Sequence, residues 1–228
     1  MSHNPPLVPG VVYQIYNRGN NGESIFIEER NYHYFMKLYA KYIAPVAEIY
    51  AYCLLGNHFH LMVRIKTWEE INEHTSLKGA CSLSSGSKER GSLRSTLMRS
   101  EVSQEPRSLE NFISKQFATF FGTYTKAINK ATSRSGMLFE GRFKRKPVTD
   151  DGYFKILVVY IHQNPQKHGL IDDFRDWPFS SYQAMIGNKP TLLAREVTHS
   201  WFDGSRGLVQ YHETTADFRG LADFIDDE

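Results

Sequence analysis

The first readable pattern is VVYQIYNRGN, an apolar, β-branched and aromatic run that ends in the turn residues Asn17 to Gly22; it predicts a strand and a turn. Glu28 to Tyr42 places Tyr32, Phe35, Leu38, Tyr39 and Tyr42 at steps of three and four, the spacing of a helix with one buried face. Pro45 closes that helix. Residues 46–55 then alternate as a strand, Gly56-Asn57 makes a turn, and HFHLMVRI (His58–Ile65) returns as its antiparallel partner. From about His74 to Ser108 the periodicity fades into ten serines and glycines at 79, 86 and 91, which predicts a flexible insertion over about 75–107. A helical stripe resumes over Leu109–Ala131 with Phe112, Ile113, Phe117, Phe120, Phe121 and Tyr124. A basic strand over Leu138–Val148 follows. Asp150 or Asp151 then caps a helix to about Gln163, stopped by Asn164-Pro165 and Gly169. The remainder, with WPFSSY at 177–182, predicts short helices packed on the body and a frayed end.

Strands that pair as hairpins beside two long helices predict an α+β fold, an antiparallel sheet covered on one face by helices. Residues 1–186 form one domain in this reading, and 187–228 a helical extension with an acidic tail. No repeat of fixed period runs through the chain. The 228 residues include 15 Phe and 13 Tyr within 41% hydrophobic content, enough for a core. No run approaches the roughly 18 apolar residues of a membrane span. The start has no signal-peptide pattern, and Cys53 and Cys81 cannot make a disulfide framework, so a cytoplasmic home is expected. The net charge of +2 is unevenly placed. Residues 213–228 hold six acids and one base, a net of −5, which leaves +7 on residues 1–212. A basic body suits an anionic partner without naming one.

Three groups of residues could carry chemistry. His58 and His60, two apart on a strand, face one side while Phe59, Leu61 and Val63 face the other. Such a pair can hold one divalent metal, or can simply line a solvent-facing edge. Tyr160 and Asn164, four apart on a helix, share a face. A phenol can attack phosphorus and a carboxamide oxygen can ligate a hard ion, although a tyrosine here could equally be core. In RFKRKP, alternation places Arg142, Lys144 and Lys146 on one side of a strand and Phe143 with Arg145 on the other. That suits a nucleic-acid backbone or a solvated edge strand.

Together, GNHFHLMV, LFEGRFKRKPV, YIHQNPQKHGL and WPFSSY resemble the single-tyrosine HUH transposases, in particular the REP-associated tyrosine transposases. The resemblance covers about residues 10–66 and 109–186. It implies a ferredoxin-like antiparallel sheet. It implies a divalent metal, magnesium or manganese, held by His58, His60 and Asn164, with Tyr160 as the catalytic nucleophile. It implies that Arg142, Lys144, Arg145 and Lys146 contact single-stranded DNA with hairpin structure. The implied reaction is transesterification through a 5′-phosphotyrosyl intermediate, and the implied state is a monomer or homodimer. His162 lies off the Tyr160–Asn164 face and is expected to be structural or DNA-facing. Two rivals stand beside this reading. One is a non-catalytic, domesticated hairpin binder on the same fold. The other is a His-based metallohydrolase, which needs further Asp, Glu or His ligands; only His33 and His74 offer themselves.

Overall fold

The computed structural model describes residues 5–73 and 106–215. The insertion expected over 75–107 lies outside the described residues except at its last two positions, and the acidic end lies outside them from residue 216 onward. Four strands, β1 (Val12–Arg18), β2 (Ala47–Leu54), β3 (His58–Ile65) and β4 (Lys144–Pro147), form one antiparallel sheet in the order β2-β3-β1-β4. Helix α1 (Glu29–Tyr42) joins β1 to β2, and α2 (Pro106–Ala131) lies between β3 and β4. This is the ferredoxin-like βαββαβ order expected from the sequence.

α1 and α2 pack together on one face. The helix start at Glu28 is a capping box in which Asn31 reaches back to the Glu28 amide at 2.9 Å. The shared core is aromatic: Phe35 meets Phe59 at 5.2 Å and Phe120 at 4.7 Å between ring centroids. Phe35, Phe59, Phe117 and Phe120 are fully buried, and each contributes roughly 2 kcal/mol or more of transfer free energy.

The second face, which the sequence reading left without helices, is covered too. α3 (Asp151–Lys167) crosses the β2–β3 side of the sheet opposite α1 and α2, and Asp150 caps it through Tyr153 N at 2.8 Å. Residues 157–162 of α3 are all buried, so this helix has no solvent face over that stretch. Its other side meets α4 (Tyr182–Ile186) and α6 (Ser205–Thr214) through His162, which lies against Tyr182 and His212, and Phe154 stacks on Trp201, which follows α5 (Arg195–Ser200). WPFSSY runs along β2 as an edge cover: Leu54 N donates to Phe179 O at 3.0 Å, Ser181 N to Tyr52 O at 2.9 Å, and Trp177 Nε1 to Leu54 O at 3.0 Å.

Two boundaries differ from expectation. α3 runs on past Asn164-Pro165, where the sequence predicts its stop, to Lys167. The basic strand does not run unbroken over Leu138–Val148; its ladder with β1 covers Lys144–Pro147, with single bonds at its flanks from Glu140 N to Arg18 O and from Val148 N to Val12 O. Gly141 takes φ +78°, a left-handed turn that breaks the ladder before Arg142.

Candidate active site

β3 puts its two imidazoles on the α3 side. The β1–β3 register sets His60 opposite Tyr16 and His58 opposite Arg18, so Gln14, Tyr16, His58 and His60 share one face. The hairpin that aims His58 is pinned at the β1 turn, where Gly19 N donates to Asn57 O at 2.7 Å. A Cβ on Gly19 would lie 1.8 Å from Glu23 O, so only glycine closes this turn. The His58 and His60 ring centroids are 5.3 Å apart.

α3 brings the other two residues to them. Tyr160 meets His60 edge-on at 5.7 Å, and Asn164 Oδ1 lies 3.2 Å from His58 Nε2. Lys167 Nζ stands 4.8 Å over the Tyr160 ring, one helical turn beyond Asn164. Thus the four residues singled out from sequence converge from β3 and α3. They differ in access. A cleft of about 300 Å³ is lined by Arg18, Asn57, His58, His60, Lys144 and His168 among others. Tyr160 and Asn164 are 1% and 0% exposed and are not among its lining residues.

The donor set fits a divalent ion. His58 Nδ1 donates to Asn57 Oδ1 at 2.7 Å, which in a neutral ring leaves the lone pair on Nε2. That lone pair faces the Asn164 carboxamide oxygen across 3.2 Å, acceptor against acceptor. Adjacent ligands of an ion with bonds of about 2.1 Å stand about 3 Å apart, so a shared cation would turn this repulsion into attraction. Asn164 Nδ2, on the other arm of the amide, is buried with no hydrogen-bond partner among the described residues. His60 Nδ1 lies 3.4 Å from Gln14 Nε2, and Tyr153 OH donates to Gln14 Oε1 at 3.5 Å. For His60 Nε2 to serve as a ligand, the Gln14 amide would have to turn so that its oxygen accepts from Nδ1–H. The Tyr153 hydroxyl can then accept from the amide nitrogen. Burial raises the Tyr153 pKa, so that phenol stays protonated.

The basic residues divide. Lys144 and Lys146 flank the Tyr16 ring, each 5.9 Å from its centroid, on the histidine side of the sheet. Arg145 points the other way, as alternation predicted, over Phe143 at 5.3 Å and bonded to Pro5 O; burial lowers its pKa. Arg142 corrects the sequence reading: it sits exposed in the turn before β4 and does not share a strand face with Lys144 and Lys146. At the cleft rim Arg18 pairs with Glu140 and holds that carboxyl below its usual range.

His162 is structural. It is fully buried, with Nδ1 at 2.8 Å from His212 Nε2 and Nε2 at 2.7 Å from Ser181 Oγ. His212 Nδ1 must donate to Leu208 O (2.8 Å), so its Nε2 accepts from His162 and His162 Nε2 accepts from Ser181. Both imidazoles are therefore neutral. Burial pushes His162 well below its usual pKa and His212 down to about 4. The sequence reading did not find Gln14, Asn57, His168 or His212. Gln14 had a signal, a polar residue inside the apolar run VVYQIY; Asn57 was hidden by its plain role as a turn residue.

A ferredoxin-like sheet carrying a His-x-His strand under a Tyr-x-x-x-Asn helix defines the class of site. No protein-family model matches the chain. Over 54 residues it is 33% identical to a curated Haemophilus influenzae protein provisionally named a REP-associated tyrosine transposase; the match spans 24% of this chain and 31% of that protein. A solved structure of a REP-associated tyrosine transposase bound to a REP hairpin aligns with 82% of this chain and 85% of its own, at TM-score 0.48 and 17% identity. The chain resembles the REP-associated tyrosine transposases.

Proposed function

We propose that the chain is a tyrosine transposase that cleaves and rejoins single-stranded DNA at hairpin ends. The observation that carries this reading is the convergence of His58, His60, Tyr160 and Asn164 on one side of the sheet. His58, His60 and Asn164 would hold magnesium or manganese, which when bound supplies a Lewis acid for a phosphate oxygen. Tyr160 Oη attacks the phosphorus. The new P–Oη bond replaces the P–O3′ bond, the phenol proton leaves to solvent or a base, and the departing 3′ oxygen takes up a proton to become a hydroxyl. The 5′-phosphotyrosyl bond retains the energy of the phosphodiester, so a 3′-OH can attack back and rejoin strands. Because Tyr160 is 1% exposed, attack requires α3 to part from the sheet near residue 160 or the phenol to rotate toward the cleft.

Lys144 at the cleft, with Lys146 beside it and Arg142 on the adjoining turn, would hold the phosphate backbone. Arg145 has a structural part as well, through Phe143 and Pro5. Tyr160's burial is also what favours the second reading, a hairpin-binding protein on the same fold that no longer cleaves. The hydrolase reading finds less support: among the described residues no group of three or more His, Cys, Asp or Glu side chains is placed to hold a metal, His33 is exposed beside Glu29, and His74 lies outside the described residues.

The test is covalent trapping. The full chain is incubated with a single-stranded hairpin oligonucleotide and Mn²⁺, and the denatured mixture is scored for a protein–DNA adduct. The transposase reading expects an adduct with the parent and none with Tyr160→Phe, while both bind the hairpin. Hairpin binding with no adduct from the parent selects the non-catalytic binder.

A further inference from the structure

We infer that Asn57 is a positioning residue for metal binding: its side-chain oxygen holds the His58 proton on Nδ1 and so presents the Nε2 lone pair to the metal. The inference rests on the metal reading of the site just proposed. Its observation is separate: a hydrogen bond at the hairpin turn, on the far side of the imidazole from Asn164.

A neutral imidazole has one proton and two nitrogens, and the partner of one nitrogen decides the role of the other. Two oxygens stand among the partners of the His58 ring, Asn57 Oδ1 at 2.7 Å from Nδ1 and Asn164 Oδ1 at 3.2 Å from Nε2. Both cannot receive the single proton. The shorter contact claims it for Asn57, and the longer one is left as two opposed lone pairs, the arrangement of two ligands awaiting a cation. Without the Asn57 oxygen, the proton does better on Nε2, donating to Asn164 Oδ1. That bond would occupy both would-be ligand atoms at once. It would have to break, and the ring lose its Nε2 proton to Nδ1, before an ion could enter.

Asn57 is well placed to do this without serving the fold. It is exposed, and its role in the hairpin runs through its backbone carbonyl, which accepts from Gly19 N at 2.7 Å whatever the side chain. The carbonyl of its neighbour Gly56 likewise accepts from the Ile25 and Phe26 amides at 2.8 and 2.9 Å. Substitution at 57 therefore changes the imidazole's partner and leaves the turn's backbone bonds in place.

The experiment uses the full chain and two readouts besides activity. Long-range ¹H–¹⁵N correlation spectra of the metal-free protein report which His58 nitrogen is protonated. Calorimetric titration with Mn²⁺ alone reports affinity. The parent is expected in the Nδ1–H form, Asn57→Ala in the Nε2–H form with Mn²⁺ bound about 10- to 100-fold more weakly, the usual cost of losing such a partner. Asn57→Asp, which keeps an oxygen on Nδ1, restores the Nδ1–H form and most of the affinity. An Nε2–H parent, or an alanine variant that binds Mn²⁺ as the parent does, overturns the inference and leaves the metal reading standing. A parent whose Mn²⁺ binding is absent, or is untouched by His58→Ala, overturns both.

Discussion

The buried pair His162–His212 ties α3 to α6, and its neutrality makes the fold acid-sensitive in a window that can be worked out. In the unfolded chain His212 titrates near 6.5, whereas burial holds it at about 4 in the native structure. Above pH 6.5 both states are neutral and the contact stabilises in full. Below it the unfolded chain takes up a proton that the native state refuses, and stability falls as the pH descends toward 4. Between pH 7.5 and pH 5 the loss from His212 alone is about 2 kcal/mol. His162 is displaced in the same direction and adds to it. For a chain of this size that corresponds to a fall in Tm of about 4–8 °C or more.

Circular-dichroism melts at pH 7.5 and pH 5 check this, in EDTA so that proton competition for a metal does not enter. His212→Gln removes one titrating ring and keeps an oxygen to accept from His162 Nδ1. Its Tm should fall less over the same pH interval than the parent's, by the His212 share. A parent Tm that is level between pH 7.5 and pH 5 refutes the reasoning. So does an equal fall in the two proteins, because the lost proton uptake would then belong elsewhere.

Charge-neutral replacement of Lys144 and Lys146 together should flatten the log–log salt dependence of hairpin binding by about 1.4 if both touch single-stranded phosphate, as fluorescence anisotropy would show; an unchanged slope puts the DNA elsewhere. Arg145→Gln should lower thermal stability more than it lowers DNA affinity, because its guanidinium packs on Phe143 and bonds Pro5 O. Gly19→Ala should destabilise by at least about 2 kcal/mol in urea unfolding, because the new methyl meets Glu23 O at 1.8 Å and must force the turn open.

The sheet was readable in sequence because its strands are patterned by one strongly apolar face. Val12–Arg18 and His58–Ile65 lie within or upon the predicted runs, and the observed pairing puts Phe59, Leu61 and Val63 toward α1 and α2 as alternation requires. Alternation failed where backbone chemistry intervened. A glycine in the left-handed region at 141 took Arg142 off β4, and a bulge between Ile49 and Ala51 shifts the register with β3. The convergence of His58 with Asn164 spans 106 positions, and no local pattern encodes it; the family motifs supplied that pairing. The hydrogen-bond partners were out of reach for another reason. Asn57, Gln14 and Ser181 are common polar residues whose significance comes only from which imidazole they meet.

The second face of the sheet explains why the site is built where it is. A polar patch of Gln14, His60 and Tyr16 in the middle of a sheet would be costly under an ordinary apolar helix, since each buried polar group needs a partner. α3 answers with alternating duties along one turn. Tyr160 and Asn164 face the histidines, while His162 and Gln163, rotated away, bond to α6, Gln163 Nε2 reaching His212 O at 2.9 Å. The C-terminal helices thus hold the back of the turn whose front carries Tyr160 and Asn164. Any displacement of α3 that uncovers Tyr160 works against the His162–His212–Ser181 bonds, and loosening those bonds lowers the cost of that displacement. His212→Gln therefore has a second consequence beyond stability. If Tyr160 must leave its burial for the phosphotyrosyl bond to form, the variant should form the adduct at least as fast as the parent under conditions where both remain folded. Slower adduct formation would mean that the C-terminal helices aim α3 for attack rather than restrain it.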